Sequence, residues 1–552
     1  MANASLKGAE ILAKALENEG VDIVFGLPGE ENLDFLDALR TSEIRLVVTR
    51  HEQAAAFMAA TYGRLTGKPG VCFSTLGPGA TNLVTGAAYA LLGAMPMVMI
   101  TGQKPILQSR QGRFQIIDIV AAMKPITKSA KQIIDARNIP AQVRDAFRIA
   151  LEERPGPVHL ELPEDIAGQR ISQCRFEPVT PHFRPVAPDA AIKAAAGLIA
   201  KSSHPLVMIG GGANRPGLAP ALSAAVRALG IPFFNTQMGK GAVDRNSDLF
   251  LGTAALSEGD YLHSIIEDAD LIIAIGHDTV EKPPIITQSG RPHVVHVDFN
   301  PADIDRIYSP ELEVIGDIGD SASRIARELQ GRPFDAGFYL GRRAELMRHI
   351  AERSDNAGFP IVPQRLVADV RRVMPDDGIL CLDNGMFKIW FARNYRTHIA
   401  NTILLDNALA SMGAGLPSAI AAAILYPTRR VMAVCGDGGF LMNSQDLETA
   451  IRLNLNLVVL IVEDHGYGMV RWKQQAYGFP EFGLSFGNPD FVVYAAAYGA
   501  KGSRVASADG LGMALNTAFA SRGVHLVVVP VDYSENKRVF IDELAGVAKQ
   551  NR

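Results

Sequence analysis

Two aspartates, Asp437 and Asp464, stand 27 residues apart, and each follows an apolar run. Val431 to Cys435 leads into Gly436-Asp437-Gly438-Gly439, and Leu457 to Val462 leads into Glu463-Asp464-His465-Gly466. Carboxylate oxygens suit hard divalent cations such as Mg²⁺ or Ca²⁺. The backbone N–H groups of Gly438 and Gly439, ahead of a helix, suit a phosphate. A divalent ion bridging the two carboxylates to a diphosphate would use all of these groups at once. Gly-Asp-Gly alone is a common strand-end turn. The pair of turns, with the unit between them, is what points to a metal and a diphosphate.

The elements around them must bring the two acids together. Both runs are long enough for buried strands and too short for buried helices. Asn443 or Ser444 can cap the intervening helix, whose apolar stripe is Leu447, Ala450 and Ile451. In a right-handed strand–helix–strand unit both strands point the same way. The aspartates are therefore expected side by side at the carboxyl ends of neighbouring strands, where open α/β sheets bind ligands. A third carboxylate, Glu52, lies between the apolar run Ile44 to Thr49 and an Ala-rich helical stretch. The helix dipole alone would favour it there. Buried among Ala54, Ala55, Ala56 and Phe57, it could instead exchange a proton with a heterocycle nitrogen.

The same alternation of short apolar runs and helical patterns fills the chain. Expected strands are Val21 to Phe25, Ile44 to Thr49, Val71 to Thr75 and Met97 to Thr101, then Pro205 to Ile209, Leu271 to Ile275 and Val294 to Val297, and finally Gly378 to Leu382. The fold class is α/β, with three doubly wound parallel-sheet domains over 1–170, 188–340 and 358–552. The Pro-rich stretch 171–187 reads as a linker, and the polar tail from Asn536 as helical. A chain of 552 residues has room for about three cores. Hydrophobic content of 48% with 20% charged residues is that of a globular protein, and a net charge of −4 gives no reason to expect nucleic acid. Cys72, Cys174, Cys381 and Cys435 form no C-x-x-C pair, so neither a zinc site nor a redox dithiol is indicated. The first residues read as an amphipathic helix rather than a signal peptide, and no uncharged apolar run reaches the roughly 18 residues that span a bilayer. A cytoplasmic enzyme is expected.

The stretch from Gly436 to Met469 resembles the magnesium–diphosphate motif of thiamine diphosphate enzymes, with Glu463-Asp464 where many members have Asn-Asn. RHEQAAAFMAATYGRLTGKPGV, followed by LGPGATNLVTG, resembles the pyrimidine-binding domain of the acetolactate synthase group. The resemblance covers nearly all of the chain, with its motifs in the expected order. It implies that Asp437 and Asp464 bind Mg²⁺ by side chain and Gly466 by its carbonyl. It implies that Glu52 hydrogen-bonds a ring nitrogen of the aminopyrimidine and favours its imino form. Thr75, Asn82 and the turn Gly26 to Glu30 would lie near the ring and substrate, and Phe114-Gln115 would line the substrate site. The turn Asp383 to Lys388, including Gly385, Met386 and Phe387, would hold the diphosphate together with Gly438 and Gly439, and Lys388 would add a cation. Met412 would prop the cofactor into a bent shape, Ala410 would offer its carbonyl to the cofactor's amino group, and Tyr467 and Met469 would flank it.

The family pairs the glutamate of one subunit with the metal block of another, so a homodimer or a dimer of dimers is implied. The flavin-dependent members carry Arg-Phe-Asp-Asp-Arg after the strand ending at Ile275. This chain has Gly276-His277-Asp278-Thr279-Val280-Glu281-Lys282-Pro283 there, which is closer to the flavin-free catabolic synthases, and FAD is not expected. The implied reaction is decarboxylation of pyruvate and carboligation to a second 2-oxo acid, giving 2-acetolactate. Arg471, Trp472 and Lys473 depart from the catabolic pattern and either face the acceptor pocket or form a solvated helix face. Facing the pocket, they would suit another 2-oxo acid, an aldehyde acceptor or plain decarboxylation. A flavin-linked pyruvate oxidase is the alternative from another class.

Overall fold

The computed structural model describes residues 5–107, 112–180, 183–244, 247–256, 261–281, 292–304 and 309–543. Three six-stranded sheets account for all but two of the named strands. Every pairing inside them is parallel. Parallel strands covered by helices on both faces need unbroken apolar runs rather than alternation. The central strands Leu457–Glu463 (LVVLIVE) and Met97–Gln103 (MVMITGQ) are buried along their whole lengths. Each fully buried aliphatic side chain of this kind contributes about 1.5–3 kcal/mol.

Numbered in chain order within each sheet, the strands of the first and third sheets both run 2-1-3-4-6-5, and those of the middle sheet 3-2-1-4-5-6. The first sheet lies between Ile23–Gly26 and Pro157–Pro163, the middle between Pro205–Ile209 and Leu312–Ile315, and the third between Ile379–Leu382 and Val524–Pro530. Contacts divide the chain into two compact units. One is Met1–Phe183 with Ile420–Leu425 and Asn443–Leu453. The other is Arg184–Ala419 with Tyr426–Met442 and Asn454–Arg552. The thiols of Cys72, Cys381 and Cys435 are buried.

Every expected strand is present, with ends moved by up to two residues. The strands not anticipated include the edge pair Ser129–Gln132 (SAKQ) and Lys501–Arg504 (KGSR). They are short, polar and paired on one side only, so neither carries an apolar run to read. The helix after the first aspartate starts at Asp437 itself and runs to Asn443, followed by a 3-10 turn Ser444–Asp446 and the helix Leu447–Arg452. Asn443 stands at the N-cap of the 3-10 turn without a side-chain cap bond, and the N-cap of the helix Leu447–Arg452 is Asp446. Asn443 instead donates to Gln53 Oε1 at 3.1 Å. In the tail the helical turn Glu535–Lys537 and the π-turn Arg538–Asp542 are formed, and the remainder of the expected helix lies outside the described residues. No helix among the described residues is long and apolar enough to cross a membrane.

Candidate active site

In the third sheet, the chain leaves Ile379–Leu382 toward one edge and Val431–Gly436 toward the other, although these two strands are neighbours. A crevice opens between the carboxyl ends of such strands. Asp383 and Asp437 are the residues that follow them. Asp383 is fully buried. Its Oδ1 accepts from Asn384 N and Gly413 N, both at 2.8 Å, and the N–H groups of Ala414 and Gly415 also point at it. Burial pushes this carboxyl up to about 7 against those bonds. A Cβ on Gly439 would sit 2.5 Å from Asp383 Oδ2, and one on Gly415 2.8 Å from Asp383 Cβ. Three turns therefore close on one carboxylate only because two of their residues lack side chains. The sequence reading gave this turn a backbone role and missed the Asp383 side chain. The available signal was the glycine spacing in Gly413-Ala414-Gly415 and Gly438-Gly439.

The two metal candidates meet as expected from strand order. Gly436 pairs with Val462 in register. Asp437 Oδ2 accepts from His465 N at 2.7 Å, Asp464 N at 3.3 Å and Asn488 Nδ2 at 2.8 Å, while Oδ1 accepts from Gly438 N at 2.8 Å. Burial, and then the Asp437 carboxylate, push Asp464 up to about 7, and Arg471 opposes them. One acid raised by another is the electrostatic situation that a divalent cation would relieve. Among the described residues no cluster of three or more His, Cys, Asp and Glu could cage a metal. Two carboxylates and a carbonyl fit Mg²⁺, which keeps waters and takes phosphate oxygens to complete its octahedron. Glu463 points away and is held by Arg504, with Nη2 at 3.0 Å. The His465 side chain is exposed, with Nε2 3.7 Å from Glu463. Asn488 was not anticipated, since it lies in a loop with no periodic pattern.

Around this centre, Gly385 opens the helix Met386–Asn394, and the rings of Met386's neighbour Phe387 and of Tyr467 lie against Gly385 and Gly438 respectively. Met386 and Phe387 are buried, and Met469 packs on the same core. Tyr467 meets Phe486 edge-on at 5.0 Å. Ala410 takes φ 57°, a left-handed conformation that non-glycine residues rarely adopt, immediately before Ser411 and Met412. Asn384 Nδ2 ties this turn down through the Ser411 carbonyl at 2.8 Å. The buried Lys388 ammonium is engaged by Asn384 Oδ1 at 2.5 Å and the Asp406 carbonyl at 3.0 Å, so it braces the loop rather than standing ready for a phosphate. Arg471 lines a pocket together with Asp464, Trp472 and Tyr533. It pairs with Asp464 and Glu481, while Trp472 is buried in the core and Lys473 caps its ring at 4.5 Å.

The other unit holds the remaining candidates. Glu52 opens the helix Glu52–Thr66 and is 5% exposed. The His51 ring accepts from Gln53 N at 3.0 Å and fixes the helix start. Asn82 Nδ2 donates to Glu52 Oε2 at 2.9 Å, and a Cβ on Gly79 would lie 3.3 Å from Glu52 Oε1 and 2.8 Å from Thr75 Cγ2. Glu52, Thr75, Gly79 and Asn82 thus form one group. Thr75 Oγ1 and Lys104 Nζ both donate to the buried Glu31. Burial alone would raise the Glu31 carboxyl, but the bonds from Lys104 and Thr75 outweigh it and hold it below its ordinary value. Sequence reading missed this Glu31–Lys104 pair, whose residues are 73 apart along the chain. Gln115 is exposed at φ 58°, and its carbonyl lies 2.9 Å from where a Gly77 Cβ would be.

In the middle sheet the switch point is filled by the chain itself. Gly212 N donates to the Gly276 carbonyl at 2.7 Å, and Gly276 takes φ 64°. The Glu281 carboxylate accepts from Gly211 N and from Thr236 Oγ1.

Three family patterns match the chain: the thiamine pyrophosphate (thiamine diphosphate) enzyme N-terminal TPP binding domain over residues 6–122, the central domain over 192–325 and the C-terminal TPP binding domain over 383–529. The chain is 36% identical to a probable acetolactate synthase large subunit of Methanocaldococcus jannaschii, over 96% of this chain and 93% of that protein. It is 35% identical to the catabolic acetolactate synthase of Raoultella terrigena, over 96% of each chain. It is 34% identical to the acetolactate synthase of Bacillus subtilis, over 98% of this chain and 95% of that one.

Proposed function

This chain belongs to the acetolactate synthase family of thiamine diphosphate enzymes, and on that premise we propose that it decarboxylates pyruvate and joins the remaining two-carbon unit to a second 2-oxo acid, giving 2-acetolactate. The observation that carries the reading is the pair Asp437 and Asp464 at adjoining strand ends, with the backbone of one turn donating to the carboxylate of the other.

Thiamine diphosphate, when bound, supplies the carbon nucleophile that no protein side chain offers. Asp437, Asp464 and the Gly466 carbonyl would hold Mg²⁺, and the Gly439 N–H would face the diphosphate, the Gly438 N–H being taken by Asp437 Oδ1. The Asp383 hub keeps the turns carrying Gly385 and Gly439 at fixed spacing. The buried Glu52, steadied by Asn82, would exchange a proton with the aminopyrimidine nitrogen. Ala410 would present its carbonyl to the ring's amino group, and Met412 would support the bent cofactor. Thr75 would line the ring site, with Gln115 orienting the substrate carbonyl. Following the family, we infer a homodimer or a dimer of dimers, which sedimentation measures directly.

We also infer that no flavin is used. Dinucleotides place their pyrophosphate on glycine-turn N–H groups at a switch point, and here the Glu281 carboxylate takes the Gly211 N–H. Stoichiometric flavin absorbance in purified protein would overturn this and favour the oxidase. Incubation with pyruvate, thiamine diphosphate and Mg²⁺ should release CO₂ and acetolactate. Release of CO₂ with acetaldehyde instead would make the enzyme a decarboxylase, and release of neither would remove the assignment.

A further inference from the structure

Asp464 and Arg471 meet although they stand seven positions apart. Arg471 sits on the helix Gly468–Ala476, and its Nη1 donates to Asp464 Oδ2 at 3.1 Å while its Nε donates to Glu481 Oε1 at 3.0 Å. The side chains of Asp464 and Arg471 are 12% and 23% exposed, so solvent screens the pair only in part. A side chain at 466 would run into the Arg471 guanidinium. Gly466 therefore keeps the approach from Arg471 to Asp464 open. Glu481, by contrast, is 46% exposed and already pairs with Arg471 on the solvent side.

Counting charges around the ion site makes the arrangement intelligible. Asp437 and Asp464 together carry two negative charges, and Arg471 returns one positive charge to the acid it touches. An Asn at 464 with a neutral residue at 471 would leave the same sum. We propose that Arg471 is the counter-charge of the ion site, its positive charge offsetting one of the two carboxylates. It holds Asp464 while no divalent ion is bound, and its guanidinium passes wholly to Glu481 when the ion takes the carboxylate. The site thereby keeps a second ligand carboxylate without the tighter grip that two uncompensated acids would give. This inference rests on the reading of Asp437 and Asp464 as Mg²⁺ ligands.

The test titrates Mn²⁺, read as free ion by electron paramagnetic resonance, into protein with saturating thiamine diphosphate. Wild type is compared with Arg471→Gln, Asp464→Asn and the double variant. A single charge interaction at this range should move the Mn²⁺ dissociation constant about tenfold. Arg471→Gln should bind Mn²⁺ about tenfold more tightly and Asp464→Asn about tenfold more weakly, with the double variant within about threefold of wild type. Arg471→Lys, which keeps the charge, should also stay within about threefold of wild type. If Arg471→Gln binds no more tightly than wild type, or the double variant matches Asp464→Asn, the counter-charge role is wrong while the metal reading stands. If wild type itself takes up no Mn²⁺, the metal reading falls and this inference falls with it.

Discussion

Replacing Asp383 by Asn should change how the C-terminal core responds to pH. The folded carboxyl is carried from 3.8 to about 7. At about 1.4 kcal/mol per tenfold change in proton affinity, the ionised folded form bears a cost of about 4 kcal/mol. The sign follows from linkage. The unfolded chain gives up this proton first, so the group's contribution to stability falls as pH rises above about 3.8 and is fully lost above about 7. Roughly half of the cost is already present at about pH 5.5, which leaves about 2 kcal/mol to appear between there and about pH 8.5. Asn has no proton to lose, but its NH₂ must face one of the N–H groups of Asn384, Gly413, Ala414 or Gly415 that now point at a carboxylate. One such donor left unpaired costs about 1–3 kcal/mol at any pH. The stability gap, wild type minus variant, should therefore fall by about 2 kcal/mol between the lower pH and the higher. The chain's two tryptophans, Trp390 and Trp472, both lie in this core. Urea titrations of coenzyme-free protein followed by tryptophan fluorescence thus report on it specifically. A gap that is constant or rises with pH would refute the reasoning.

Glu52→Gln should lower pyruvate turnover by about 10²-fold or more while thiamine diphosphate still binds by calorimetry, and turnover near the wild-type rate would end the role given to Glu52. Gly439→Ala brings a methyl to 2.5 Å from Asp383 Oδ2, and coenzyme affinity should fall at least about tenfold with unchanged far-UV circular dichroism. Burial carries the His159 imidazole down to about 3. Its contribution to stability is therefore present above about 6.5 and is lost as pH falls, by about 2 kcal/mol near pH 5. His159→Gln should flatten the acid side of the thermal-melt profile, and an unchanged acid side would show that the buried ring is not its source.

The apolar runs made the sheets legible in the sequence, because a parallel strand buried on both faces leaves a continuous stretch such as LVVLIVE. Strand-end turns then located Asp437, Asp464 and Glu52, since each interrupts or follows such a run. What could not be read is side-chain pairing over distance. Nothing local links Glu31 to Lys104, Asn488 to Asp437, or Asp383 to the N–H groups of Gly413 to Gly415. Polar edge strands were silent for the opposite reason, as SAKQ and KGSR bury too little to need apolar side chains. Lys388 illustrates the limit of residue type alone. Its charge suits an anion, but the structure commits it to a carbonyl and two amides.

The outer two sheets repeat one wiring diagram, 2-1-3-4-6-5, whereas the middle sheet follows another. Doubling of a single ancestral module would leave this trace, with both copies keeping their order of threading while their connectors drifted apart. After the third strand of one copy the connector carries Thr75 and Gly79, and after the third strand of the other it carries Asp437 and Gly439. New chemistry in this lineage can accordingly be written by rewording connectors at those two corresponding places, leaving the frame beneath them as it is.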